Sequence, residues 1–210
     1  MRLFLLFFLM LTGGASAQEF GVRGQFDYYV LSLSWSPSYC ADVGEKRKDA
    51  QCKTGQDQGF VVHGLWPQFM NGAYPQFCPP VSTMHKQNLR NLPTYMPPDL
   101  MVYQWKKHGS CSGLDQGGYL EAIRLAYERL VVPEELRNPK TPLKIKSEEV
   151  RKRFLAVNPK LPKDGMAVTC QGGRLQEVRL CLDKSLEFRA CGKKVDDRCG
   201  IGTIDLPPVR

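Results

Sequence analysis

Histidine is scarce in this chain, three among 210 residues, so a proton transfer at neutral pH has few side chains to draw on. Long apolar runs are scarcer still. The one such stretch, Leu3 to Leu11, has nine residues, well short of the roughly 20 that cross a bilayer. No Asn-x-Ser/Thr triplet occurs, which argues against N-glycosylation. None of the cysteines stands two residues from another, so the short paired spacing of a structural zinc site is missing. No internal repeat is visible, and no stretch is polar and long enough to separate one domain from another.

The chain begins with Met1-Arg2, continues into the apolar stretch, and reaches the small-residue pattern Ala15-Ser16-Ala17. That order reads as a secretory signal peptide over residues 1–17, cleaved near Ala17, with one domain over 18–210. The cysteine count agrees with export. Cys40, Cys52, Cys78, Cys111, Cys170, Cys181, Cys191 and Cys199 all follow the leader, and an even number in an exported chain suggests four disulfides. Spacing leaves 105 pairings open. One of them, Cys78 with Cys111, would tether the two histidine motifs described below. The net charge of +8 biases the protein towards polyanions such as nucleic acid, a weak signal alone.

Hydrophobic periodicity places the elements. Phe26 to Ser36 alternates as a strand, with Tyr29, Leu31, Leu33 and Trp35 on the richer apolar side and Pro37 as its stop. Gly59 to Gly64 reads as a buried strand that ends at His63. Pro97-Pro98-Asp99 opens a short helix that Gly109 closes, with His108 in its last turn. Val132 to Lys146 reads as a surface crossing between two further helices. The first of these carries a stripe of Leu120, Ile123, Tyr127 and Leu130, and the second one of Val150, Phe154 and Val157. Near the end, Ala167 to Cys170 and Leu175 to Asp183 read as strands joined by Gly172-Gly173, followed by a looped tail. Helices and strands neither alternate nor segregate, so the expected class is α+β with a mostly antiparallel sheet.

Two of the three histidines lie in distinctive settings, Phe60-Val61-Val62-His63-Gly64-Leu65-Trp66-Pro67 and Trp105-Lys106-Lys107-His108-Gly109-Ser110-Cys111. Two imidazoles held together are the least equipment for moving a proton on and off a substrate, and Lys107 adds a fixed cation. His85 has no motif around it and reads as structural or solvated.

These two segments, in this order and flanked by cysteines, resemble the active-site signatures of the ribonuclease T2 family. Leu33-Ser34-Trp35-Ser36-Pro37 with Cys40, and Thr169-Cys170 with Glu177-Val178 and Cys181, extend the resemblance over most of the chain. It implies disulfides 40–52, 78–111, 170–199 and 181–191. It also implies a metal-independent endoribonuclease, without cofactor, acting on single-stranded RNA. The short leader predicts no stable membrane association, and a monomer is expected. His108 would be the general base, His63 the general acid, and Lys107 the residue that stabilises added negative charge. By the same resemblance Trp66, Gln68, Tyr103 and Trp105 are expected to meet the substrate.

Two positions depart from the family pattern. Gln104 stands where a glutamate is usual, and Tyr103 where a histidine is common. An amide keeps hydrogen bonds but cannot ionise, so a slower enzyme is expected, and a weakened RNA-binding protein is the alternative. Among the other aromatics after the first motif, Phe69, Tyr74 and Phe77 are read as packing or loop anchors rather than base platforms.

Overall fold

The computed structural model describes residues 21–53, 55–200 and 202–209. The expected leader over 1–17 lies outside them. The elements run β1 (Tyr28–Trp35), α1 (Ser36–Tyr39), a π-helical turn at Cys40–Gly44, α2 (Glu45–Arg47), β2 (Phe60–Gln68), α3 (Pro98–Lys107), α4 (Gln116–Glu128), α5 (Glu134–Arg137), β3 (Leu143–Lys146), α6 (Ser147–Val157), β4 (Met166–Gln171), β5 (Arg174–Leu182) and β6 (Thr203–Leu206). The class is α+β, built on a six-stranded sheet in the order β2-β1-β5-β6-β3 with β4 also on β5. All pairings between strands are antiparallel except a single parallel pair, Arg174 with Asp205.

Alternation along β1 divides the sheet into two faces. Tyr29, Leu31, Leu33 and Trp35 join Phe60, Val62, Leu65, Val178, Leu180 and Leu182 in the main core, with Met101 of α3, Ile123 of α4 and Phe154 of α6 packed among them. On the other face, Tyr28, Val30 and Cys181 form a small cluster edged by Trp66, Cys191 and Val195. Burying a large apolar side chain such as Leu31 stabilises by about 1.5–3 kcal/mol, so the main core carries most of the stability and the second face is free for polar chemistry.

β2 runs further than the alternation suggested. It continues through Gly64 to Gln68, so His63 lies within the strand and not at its end. The register with β1 slips at this point: Leu33 faces Val62, whereas the next residue back, Ser32, faces Gly64. His63 is the extra residue of a β-bulge, the device that re-aims a side chain in an otherwise regular ladder. Pro67 is tolerated because β2 is an edge strand, where a missing N–H breaks no ladder bond.

The stretch read as a surface crossing is more than that. Within Val132 to Lys146, Leu136 of α5 is fully buried and β3 pairs with β6 from the far end of the chain. Four-residue strands carry too little periodicity to stand out, and their partner lies about sixty residues away. The stripe on α6 stops at Phe154, since Val157 is exposed. The four disulfides join Cys40–Cys52, Cys78–Cys111, Cys170–Cys199 and Cys181–Cys191, the pairing that the resemblance implies. No helix among the described residues is long and apolar enough to cross a membrane.

Candidate active site

The bulge decides what the second face presents. Val61 and His63 point to it in ordinary alternation, and after the slip so do Gly64, Trp66 and Gln68. Gly64 has to lack a side chain. A Cβ there would lie 2.3 Å from Trp66 Nε1 and 2.4 Å from Gln104 Oε1, and those two atoms are themselves joined by an indole N–H···O bond of 2.8 Å. The bond ties β2 to α3 across the glycine.

α3 ends as its sequence dictates. His108 caps it with φ −119° and its backbone N–H donates to the Gln104 carbonyl at 2.9 Å. Gly109 turns the chain away with its α-carbon pressed against Trp105 and Tyr119, where a Cβ would approach within 2.6 Å. The Cys78–Cys111 disulfide joins the loop after β2 to the turn after α3. Tyr119 Oη donates to the Leu65 carbonyl at 2.9 Å from below.

His63, Trp66, Gln68, Tyr103, Gln104, Lys107 and His108 all line one cavity of about 430 Å³. The Trp66 ring touches both imidazoles, its centre 5.1 Å from that of His63 and 5.4 Å from that of His108. The two histidines are therefore no further apart than these spacings laid end to end.

Their electrical settings differ. His63 is about one-third exposed, and its Nδ1 lies 2.5 Å from Glu177 Oε1. Glu177 is buried in β5, and its second oxygen accepts from Arg179 Nε at 2.8 Å and Nη2 at 2.6 Å. Burial alone would raise this carboxyl. The hydrogen bond and charge of His63, with the guanidinium of Arg179, outweigh burial and hold it at about 2. The carboxylate thus stays ionised under His63. It fixes the ring with Nδ1 as the bonded nitrogen and leaves Nε2 for the cavity.

His108 is buried, and its Nδ1 meets no hydrogen-bond partner. Desolvation first, then Lys107 and His63, push it down to about 3. A position at a helix C-terminus favours imidazolium by only about 0.3–1 kcal/mol, too little to reverse this. One ring is clamped to a carboxylate, while the other is buried beside a cation. Lys107 Nζ lies 5.9 Å from the Tyr74 ring centre and 6.0 Å from that of Tyr103.

Trp105 departs from expectation. It is buried in the main core and donates its indole N–H to the Ser82 carbonyl at 3.0 Å, so it packs beneath α3 and does not face the cavity. Tyr74, read as an anchor, instead lines the cavity with its ring 5.8 Å from that of His108. Phe69 packs on the core, Phe77 is half-buried, and His85 is exposed. Sequence reasoning missed Glu177 and Arg179 as members of the site. Their signal was there: two charged residues two apart on the side of a strand opposite Val178, Leu180 and Leu182. Lys194, Val195 and Arg198 also line the cavity. Among the described residues no cluster of His, Cys, Asp and Glu is suited to holding a metal ion.

The class to which this fold belongs is one of RNA-cleaving enzymes. Residues 26–191 match the model of the ribonuclease T2 family. A ribonuclease of Aeromonas hydrophila is 32% identical over 218 residues, covering 93% of this chain and 92% of its own. Ribonuclease DdI of Dictyostelium discoideum is 26% identical, covering 88% and 86%. Among solved structures, an RNase-related protein from Calystegia sepium superposes with a TM-score of 0.70 at 22% identity, covering 88% of this chain and 98% of that one. RNase NT, solved with 5′-AMP, gives 0.63 at 22%, covering 88% and 99%. The chain belongs to the ribonuclease T2 family, a family of endoribonucleases.

Proposed function

We propose that this protein is an exported enzyme that cleaves single-stranded RNA by transesterification. The 2′-hydroxyl of one nucleotide attacks its own 3′-phosphorus, the P–O5′ bond breaks, and the products carry a 2′,3′-cyclic phosphate and a 5′-hydroxyl. His108 takes the 2′-hydroxyl proton on Nε2, its Nδ1 being buried. His63 returns a proton from Nε2 to the departing 5′-oxygen while Glu177 holds the ring through Nδ1. Lys107 offsets the extra negative charge of the phosphorane, and the Gln104 amide lies beside it on the cavity wall. The nucleophile belongs to the substrate, so this chemistry calls for no metal or cofactor, and DNA should be inert. Removal of residues 1–17 during export fits the four disulfides.

The observation that carries this reading is two imidazoles lining one cavity, one clamped by the Glu177 carboxylate and the other buried beside Lys107. It is tested on purified protein and single-stranded RNA with a chelator present. Cleavage giving cyclic phosphate ends, falling by about 10²–10⁴-fold in His63→Ala and in His108→Ala, is expected. RNA binding without cleavage would favour the weakened alternative, which Gln104 and Tyr103 motivate.

A further inference from the structure

The last disulfides bracket a short piece of chain. Cys181–Cys191 and Cys170–Cys199 staple the segment 191–199 at both ends, and it begins where the match to the family model stops. The segment is also pinned along its length. Lys193 N–H donates to the Met70 carbonyl at 3.0 Å, and Arg198 N–H to the Val168 carbonyl at 3.0 Å. Lys194 takes a left-handed backbone, φ 67°, and its methylenes lie on Gly72, where a Cβ would come within 2.8 Å of them. The result is a wall of the cavity that carries two cations, Lys194 and Arg198. Among the described residues neither is in an ion pair, whereas Arg179 in the same cavity is bound to Glu177. Holding two exposed cations against one cavity costs chain entropy and mutual repulsion. An anion would offset the repulsion.

The two histidines indicate which anion. His108 lines only this first cavity. His63 also borders a second one of about 630 Å³, with Ser34, Arg47, Lys48 and Lys53. If His108 serves the attacking nucleotide and His63 the leaving one, as the proposed reaction has it, the attacking nucleotide occupies the first cavity and the departing one lies towards the second. The RNA strand then has to continue in the 5′ direction out of the first cavity. We propose that Lys194 and Arg198 hold the phosphate on the 5′ side of the attacking nucleotide, one position upstream of the bond that is cut. They are positioning residues for polymeric substrate, and no proton passes through them.

This inference rests on the reaction proposed above, and one pair of substrates separates the two. A dinucleoside monophosphate contains the scissile phosphate and no upstream one, whereas its 5′-phosphorylated form adds only the group in question. The unaltered enzyme is expected to prefer the phosphorylated form by about tenfold in kcat/KM at low salt, mostly through KM, with the preference fading as salt rises. In Lys194→Ala/Arg198→Ala the ratio of the two substrates should fall to about one, and in the charge-preserving Lys194→Arg/Arg198→Lys it should persist. A wild-type ratio near one, or a ratio retained by the alanine pair, overturns the inference while leaving the reaction standing. Failure of the unaltered enzyme on both substrates overturns the reaction and the inference with it.

Discussion

The two faces of one sheet are built from the same strands and do opposite things. Leu31, Leu33, Val178 and Leu180 look into a dry core, while Ser34, Glu177 and Arg179, their immediate neighbours in sequence, face the side that carries the site. Stability is gathered on the first face, where apolar area is removed from water. Reactivity is gathered on the second, where a buried carboxylate and a neutral imidazole are tolerated because the other face has already supplied the folding energy. Substitutions on the two sides should therefore separate cleanly into those that unfold and those that slow.

The sharpest contrast is within α3, between adjacent aromatics. Trp105→Ala should destabilise by about 3–5 kcal/mol, read in denaturant melts. Tyr103→Ala should leave the melt within about 0.5 kcal/mol and alter only KM for RNA. Equal effects on stability would mean the two residues do not sit on opposite sides.

Glu177→Gln breaks the comparison from the site side. The ring of His63 loses the partner that orients it, and kcat should drop about 10²-fold. Stability should also respond to pH in a set direction. Because the folded carboxyl lies below its unfolded value, its contribution is complete above pH of about 4.3 and is lost as pH falls towards about 2. A melt series across that window should slope in the native protein and flatten in the variant.

Gln104→Glu gives the smallest effect. With His108 held near 3, the proposed base stays neutral across most of the acid range, and the acid limb of kcat/KM should lie far below the ordinary histidine range of about 6.5. Its loss below that limb reflects protonation of the base. A carboxylate at 104 would favour imidazolium and move the limb to higher pH, with turnover rising several-fold near neutrality. An unchanged profile would show that position 104 lies outside the catalytic balance.

Much of this was readable in the chain. The helix from Pro98 to Lys107 with His108 at its end follows from local signals: prolines at the start, glycine after the end, and a bulky side chain every third or fourth place. The α+β class follows from mixed periodicities. What escaped depends on pairing between distant segments. The slip opposite Leu33 is invisible in β2 until β1 is laid beside it, so alternation alone ends the strand at His63. Glu177 becomes a partner of His63 only across a sequence separation of 114. β3 and β6 are too short to announce themselves. Trp105 misled because proximity in sequence to a reactive residue says nothing about which side of a helix is wet.

The additional residue in β2 makes the strand two half-strands of opposite phase. Pairing without it would drive the His63 imidazole into oil or throw Leu65 into water, so a frame-shifted sheet is heavily penalised. The reactive ring is thereby locked to the alignment of the whole scaffold, and heat should inactivate the enzyme and melt it in one event, with no dead but folded intermediate between.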